Sequence, residues 1–179
     1  AVHPLAARAM FGVPASALTD EVLEVEEVVG AATALRDRLD AGPAGANAAA
    51  LVGRWLDARI RASSPPAPPP ELAQAWRLIV GSAGRARIGD VAREVGWSRR
   101  HLTTRMRAEI GVGAKDLARL ARFRRSRVLM GRQAGSLGQI AGDSGYADQS
   151  HLTAEWREFA GCTPGQWIAS ELTALSSPG

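Results

Sequence analysis

The chain has a single cysteine, Cys162, in 179 residues, so it forms no internal disulfide, and its thiol usage fits a reducing compartment. Aromatic residues are scarce and β-branched ones sparse, and no stretch alternates apolar and polar positions over the length of a strand, so the sequence lacks the material of a sheet. It lacks the run of ~20 apolar residues that a membrane span needs, and no cationic-then-apolar leader opens it. The expectation is a soluble, cytoplasmic chain with no membrane partner. Three histidines and one cysteine, with no ligand spacing among them, argue against a zinc site or any other metal site. No Ser/His/Asp grouping and no paired acids stand out, so no residue is assigned as catalytic and an enzyme is not expected. Gly111-Val112-Gly113 looks like a phosphate loop only superficially, because it joins two predicted helices and follows no strand. No cofactor is implied.

What the chain does have is alanine, arginine and leucine, a mix that favours helix. Its 46% of hydrophobic residues is ample for a buried core. The length allows one domain or two small ones. Charge is unevenly spread: residues 1–81 hold 7 Arg and Lys against 9 Asp and Glu, whereas residues 82–179 hold 15 against 9. The basic second half points to a polyanion, with a solvated positive face as the plain alternative. Only Lys115 among the cations is lysine. Arginine forks suit phosphate and guanine edges, although GC-rich coding also inflates arginine.

The clearest boundary is Ser63-Ser64-Pro65-Pro66-Ala67-Pro68-Pro69-Pro70, whose prolines make an extended, semi-rigid spacer. Before it, Val25, Val28, Val29, Ala32, Leu35 and Leu39 repeat at helical spacing until Gly42-Pro43. Ala48, Leu51, Val52, Trp55, Leu56 and Ile60 mark a second amphipathic helix. After it, helices are predicted at roughly 71–80, 88–95, 98–109, 115–130, 137–143, 148–159 and 164–172. The expected organisation is a helical segment over 1–64, a linker over 65–70 and an all-α domain over 71–179.

An internal repeat of about fifty residues runs through that domain. One copy reads Ile88-Gly-Asp-Val-Ala92-Arg-Glu-Val-Gly96-Trp97-Ser98-Arg99-Arg100-His101-Leu102-Thr103 and continues to Gly111. The other reads Leu137-Gly-Gln-Ile-Ala141-Gly-Asp-Ser-Gly145-Tyr146-Ala147-Asp148-Gln149-Ser150-His151-Leu152-Thr153 and continues to Gly161. Each copy follows helix-turn-helix logic. Ala92 and Ala141 permit close helix approach, while Gly96 and Gly145 supply the positive φ of a tight turn. Trp97 and Tyr146 are expected to bury a ring there, and Ser98 and Asp148 to cap the second helix. Leu102/Met106 and Leu152/Trp156 face the core. Arg99, Arg100, Thr103 and Thr104 face outward in the first copy, as do Gln149, Ser150 and Thr153 in the second. The second turn is one residue longer.

With these motifs, residues from about 75 to 170 resemble the DNA-binding domain of the AraC/XylS transcriptional regulators. Gly161-Cys162-Thr163-Pro164-Gly165-Gln166-Trp167 resembles the close of that domain. The resemblance implies two tandem helix-turn-helix motifs joined by a long linker helix. A linker of about sixteen residues spans ~25 Å at ~1.5 Å per residue, so the two recognition helices would enter successive major-groove segments ~34 Å apart. Carried over by position, the base-facing residues are Arg100, Thr103 and Thr104, then Gln149, Ser150, His151 and Thr153, with Arg99 reaching a phosphate or a base. The chain departs from the family where arginine is common, at Thr104 and Ala154, and where phenylalanine is common, at Met106 and Trp156. His3-Pro4, Phe11-Gly12-Val13-Pro14 and Leu18-Thr19-Asp20 resemble the tail of a sensory domain found in some AraC-type proteins. That echo, and the absence of an initiator methionine, lead to the expectation of a fragment whose small-molecule effector binds a domain upstream. Double-stranded DNA and RNA polymerase are the macromolecular partners implied.

Several features have a plain reading beside the sharp one. Arg122, Arg124, Arg125 and Arg127 on the linker helix form a solvated face, with phosphate contact or ion pairs inside the domain as alternatives. His101 and His151 either pack and hydrogen-bond locally or touch DNA. Cys162 reads as ordinary packing. Two other function classes compete with DNA-dependent regulation: a DNA-repair fusion, which would need further cysteines, and a helical protein-interaction module without DNA binding.

Overall fold

A computed structural model describes residues 3–18, 33–41, 48–62 and 67–176. All regular structure among them is helical. The helices are α1 (Ala7–Phe11), α2 (Thr33–Asp40), α3 (Ala48–Ala62), α4 (Pro70–Gly81), α5 (Ile88–Glu94), α6 (Arg99–Ile110), α7 (Ala114–Gly131), α8 (Leu137–Ser144), α9 (Gln149–Ala160) and α10 (Pro164–Ser176), with single 3-10 turns at Pro4–Ala6 and Ala15–Leu18. From α5 onward each helix begins and ends within a few residues of its predicted bounds. Val25 to Ala32 and the Gly42-Pro43 stop lie outside the described residues, while Leu35 and Leu39 fall in α2. Pro70, read from sequence as the last spacer residue, opens α4. A residue without an N–H is tolerated in the first helical turn, where no intrahelical partner would exist.

The chain divides into two compact units. The first comprises residues 1–73 together with 104–113. In it α1 and α2 both pack on α3, and Ala7 and Met10 of α1 are buried. The Arg8 guanidinium forks onto Glu109, Nε to Oε2 at 2.7 Å and Nη2 to Oε1 at 3.3 Å. This raises the pKa of Arg8 through its hydrogen bond to Glu109. Ser16 Oγ donates to the carbonyl of Ala108 at 2.6 Å. The short N-terminal helix is therefore fastened to the C-terminal half of α6, a contact that carried no sequence signal.

The second unit comprises residues 74–103 and 114–179. Its core gathers Leu129 and Met130 of α7, Ile140 and Ala141 of α8, Tyr146 of the following turn, and Leu152 and Trp156 of α9. Phe123, Leu137, Trp167 and Ile168 pack against that cluster. Each fully buried large apolar side chain contributes roughly 1.5–3 kcal/mol. Trp156 also carries a buried N–H, which donates to Ser126 Oγ at 2.9 Å, and Ser126 in turn donates to the carbonyl of Phe123. Local chemistry marks the helix starts. Ser136 and Gln139 form a reciprocal capping box on α8, and Thr163 and Gln166 form the same pair before α10.

The repeat holds at the level of single backbone bonds. Ala83 N–H reaches Val80 O at 2.9 Å as Gln133 N–H reaches Met130 O at 2.9 Å, and both residues take left-handed φ, 52° and 51°. Trp97 N–H reaches Ala92 O at 2.8 Å as Tyr146 N–H reaches Ala141 O at 2.9 Å. Gly96 and Gly145 have φ of 73° and 83°, the turn conformation that glycine adopts without strain.

Candidate nucleic-acid interface

Ser98 Oγ accepts from the His101 N–H at 3.1 Å, and Asp148 Oδ1 accepts from the His151 N–H at 2.8 Å. Both caps satisfy a helix-start N–H that would otherwise lack a partner. Behind each cap, Leu102, Met106, Leu152 and Trp156 are completely buried, so the opposite face of each helix is turned to solvent. Arg99, Arg100 and Thr104 are exposed and Thr103 is half-buried; Gln149, Ser150 and His151 are exposed and Thr153 is half-buried.

These residues do not form one set. Gln149, Ser150 and Thr153 line a shallow concavity of about 350 Å³ together with Arg157. Arg157 escaped the sequence reading, although 149, 153 and 157 follow i, i+4, i+8 spacing. The repeat places Arg107 at the matching position of α6. Thr153 Oγ1 donates to the Gln149 carbonyl at 2.9 Å, one turn back. His151 lies elsewhere: it lines a wider depression of about 510 Å³ with Lys115, Arg119, Arg122 and Glu155 among others. Its ring meets Tyr146 edge-on at 5.3 Å, and its Nε2 is 3.6 Å from Glu155 Oε1. His101 makes the matching contact with Trp97 at 4.7 Å.

Two expectations are corrected. Tyr146 is buried as predicted, but Trp97 is only half-buried. It sits at the rim of a turn one residue shorter, with its edge on His101. Arg122 does not share the solvated face of Arg124, Arg125 and Arg127, which are exposed. It turns inward, Nη1 donating to the carbonyl of Gly84 at 3.0 Å and Nη2 approaching Glu155 Oε1 at 3.5 Å. Arg99 is also directed. A Cβ built on Gly89 would stand 2.3 Å from its Nη2, so the guanidinium lies over the first turn of α5.

Glu155 is another residue of this region that sequence reasoning missed. Its side chain is 6% exposed, and its Oε1 accepts from Arg119 Nε at 2.9 Å. Arg119 also pairs with Glu158 and lies over the Phe159 ring. Hydrogen bonds to Glu158 and Glu155 hold the Arg119 pKa above its ordinary value. Burial, with the Glu155 carboxylate adding to it, pushes the Tyr146 phenol well above its usual range. The signal available in sequence was positional: Glu155 corresponds to Arg105 of the first copy, so an acid replaces a base in an otherwise matched helix. Among the described residues no group of His, Cys, Asp and Glu could hold a metal ion, and no helix is long and apolar enough to cross a membrane.

A family model described as a helix-turn-helix domain matches residues 91–170. The fold is similar to a transcriptional regulator from Chromobacterium violaceum, described as containing an AraC-type DNA-binding domain. That chain is 25% identical, and the likeness covers 62% of this chain and 96% of that one at a TM-score of 0.54. A DNA-binding transcriptional dual regulator from Escherichia coli K-12 shares the fold at 19% identity, covering 57% of this chain and 93% of that one at a TM-score of 0.51. No curated protein sequence matches the chain.

Proposed function

We propose that the chain is an AraC-type regulator of transcription that places α6 and α9 in successive major-groove segments on one face of the duplex, a reading supported by the helix-turn-helix match over residues 91–170 and by the likeness to a regulator with an AraC-type DNA-binding domain. The observation that carries this reading is the bond-for-bond repetition of the two motifs, each presenting an exposed polar face at a capped helix start. They are joined by α7, whose 18 residues span ~27 Å at ~1.5 Å each. That length suits helices reading segments ~34 Å apart.

The two helices divide the work. Arg99 and Arg100 open α6, and Arg107 follows on it, so the first motif supplies more of the electrostatic attraction to phosphate. The position of Arg99 over α5 supports a backbone contact at the flank of the site. Arg100 is unpaired among the described bonds and is assigned to a base edge, with Thr103 and Thr104 beside it. Gln149 and Ser150 open α9 without charge and read bases through neutral hydrogen bonds, Gln149 suiting adenine. Arg157 grips phosphate from the far end of the same concavity, which Thr153 completes, while His151 would approach DNA from the separate depression beside Glu155. RNA polymerase and a small-molecule effector are the further partners this reading implies, and it assigns no catalytic step.

The test is fluorescence anisotropy with a duplex selected from a random library, at several salt concentrations. Arg100→Ala should weaken the selected site by about 1–3 kcal/mol and relax its sequence preference. Gln149→Ala should leave the salt slope unchanged while narrowing the gap between selected and random duplex. A wild-type chain whose binding shows no salt dependence would overturn the reading, because phosphate contacts release counterions.

A further inference from the structure

We propose that Arg122 and Glu155 are positioning residues that fix the phase between the two DNA-reading helices, and so set the spacing of half-sites the protein accepts. The inference rests on the two-motif reading above and extends it from which bases are read to how far apart they lie.

Arg122 occupies a bridging position in the second unit. From the middle of α7 it donates to the carbonyl of Gly84, in the turn leading into α5, and reaches the Glu155 carboxylate on α9. One side chain thus bridges the lead-in of the first motif, the linker helix and the recognition helix of the second. The approach at Gly84 is close: a Cβ there would lie 2.0 Å from the carbonyl oxygen of Ala118 on α7. Glu155 answers with a single oxygen, Oε1, which accepts from Arg119 as well as Arg122. Arg119 and Arg122 are three residues apart and therefore lie on the same side of α7.

Apolar packing of Leu152 and Trp156 holds α9 against the core but is not directional. The arginine forks are directional, because a planar guanidinium accepts few orientations of its partner. A buried ion pair is also a poor source of net stability, since desolvation offsets the attraction, and its best-attested use is to select one register among several. The first motif shows the contrast. At the position matching Glu155 it has Arg105, whose ion-pair partner is Glu109 on the same helix at 3.9 Å. That pair lies within α6, and the other partner of Glu109 is Arg8 of α1, so neither bond ties α6 to α7 or to the second motif.

On B-DNA, adding one base pair between half-sites turns the second by roughly 35° about the axis and moves it ~3.4 Å. A rigid bridge cannot follow that change, whereas a loosened one can.

The experiment uses the full chain. A binding-site selection on wild type defines a bipartite site. Affinity is then measured on that duplex, on versions with the spacer changed by one base pair either way, and on a version with one half-site base mismatched. Wild type should lose about tenfold or more on the altered spacers, comparable to a single mismatch. Glu155→Gln should bind the original spacing within a few-fold and keep its mismatch penalty, while its spacing penalty falls below about threefold. Arg122→Lys keeps the charge but not the fork, and should flatten the spacing preference in the same way. If Glu155→Gln is unfolded by circular dichroism, Arg122→Lys decides the matter. Variants that keep the full spacing penalty, or lose mismatch and spacing discrimination together, would overturn the proposal and leave the two-motif reading intact. A wild type that selects a single half-site would overturn both.

Discussion

The two motifs share the backbone bonds of the turn itself, yet they are held in different ways. The second is anchored by polar groups. Trp156 is tied through Ser126, and Glu155 joins α9 to Arg119 and Arg122. The first has Met106 in the place of Trp156 and Arg105 in the place of Glu155. Its second helix, α6, instead receives Arg8 and Ser16 at its C-terminal end. A repeat can conserve the turn and leave the supports free to diverge, because the turn depends on local backbone chemistry and the supports on whatever lies nearby.

The largest effect expected from breaking this contrast is at Trp156. Trp156→Ala should cost about 3–5 kcal/mol in denaturant unfolding, whereas Met106→Leu, which conserves volume and has no hydrogen bond to lose, should cost less than about 1.5 kcal/mol. Equal losses would show that the polar anchor contributes nothing distinctive.

Glycine comes next. Gly84→Ala combines a left-handed φ of 76° with a collision against the α7 backbone and should cost about 2–4 kcal/mol. Gly145→Ala meets the side chains of Arg85 and Arg122 and no backbone, so its cost should stay nearer the backbone term of about 1–2 kcal/mol. Thermal melts of both variants check the order, and a Gly145 variant as damaged as the Gly84 variant would contradict it.

The caps should differ by less. Ser98→Ala and Asp148→Ala should each cost about 1 kcal/mol, with Asp148 the costlier because its carboxylate also faces the positive helix end. Urea midpoints measure this; no loss at Asp148 would remove the cap from the account of α9.

The finest test uses the only tyrosine in the chain. The folded state holds the Tyr146 phenol neutral beyond its ordinary range, so above about pH 10 the unfolded chain releases a proton that the folded chain keeps. Stability contributed by this group is complete below that pH and declines as pH rises through it. Ultraviolet absorbance should show tyrosinate appearing only with loss of helix. Ionisation near pH 10 in a chain that is still helical would place the ring in solvent.

From α5 to α10 the helices were legible because most boundaries rest on adjacent residues: a Ser, Asp or Thr cap before α6, α8, α9 and α10, a glycine able to take positive φ, a stripe of apolar positions. The outward polar faces followed from the same periodicity. The N-terminal helix α1 was not legible, since a five-residue helix carries too little periodicity to stand out. Arg119 and Glu155 were missed for a different reason. They lie 36 residues apart, and no local pattern marks a charged residue as buried.

The order of residues was enough to make the second half helical, to mark one motif occurring twice, and to assign most of the side chains that cap and fill each copy. These follow from interactions reaching four or five residues along the chain, and they repeat wherever the residues repeat. Only the tertiary structure decided that Arg122 turns inward while Arg124, Arg125 and Arg127 stay in solvent, that His151 parts company with Gln149 and Ser150, and that Trp97 remains at a rim where Tyr146 is buried. Each of these depends on a partner brought close by folding, such as the Gly84 carbonyl, the Glu155 carboxylate or the His101 ring. The free energy of a charge or a ring is set by that neighbourhood, which the order of residues does not display.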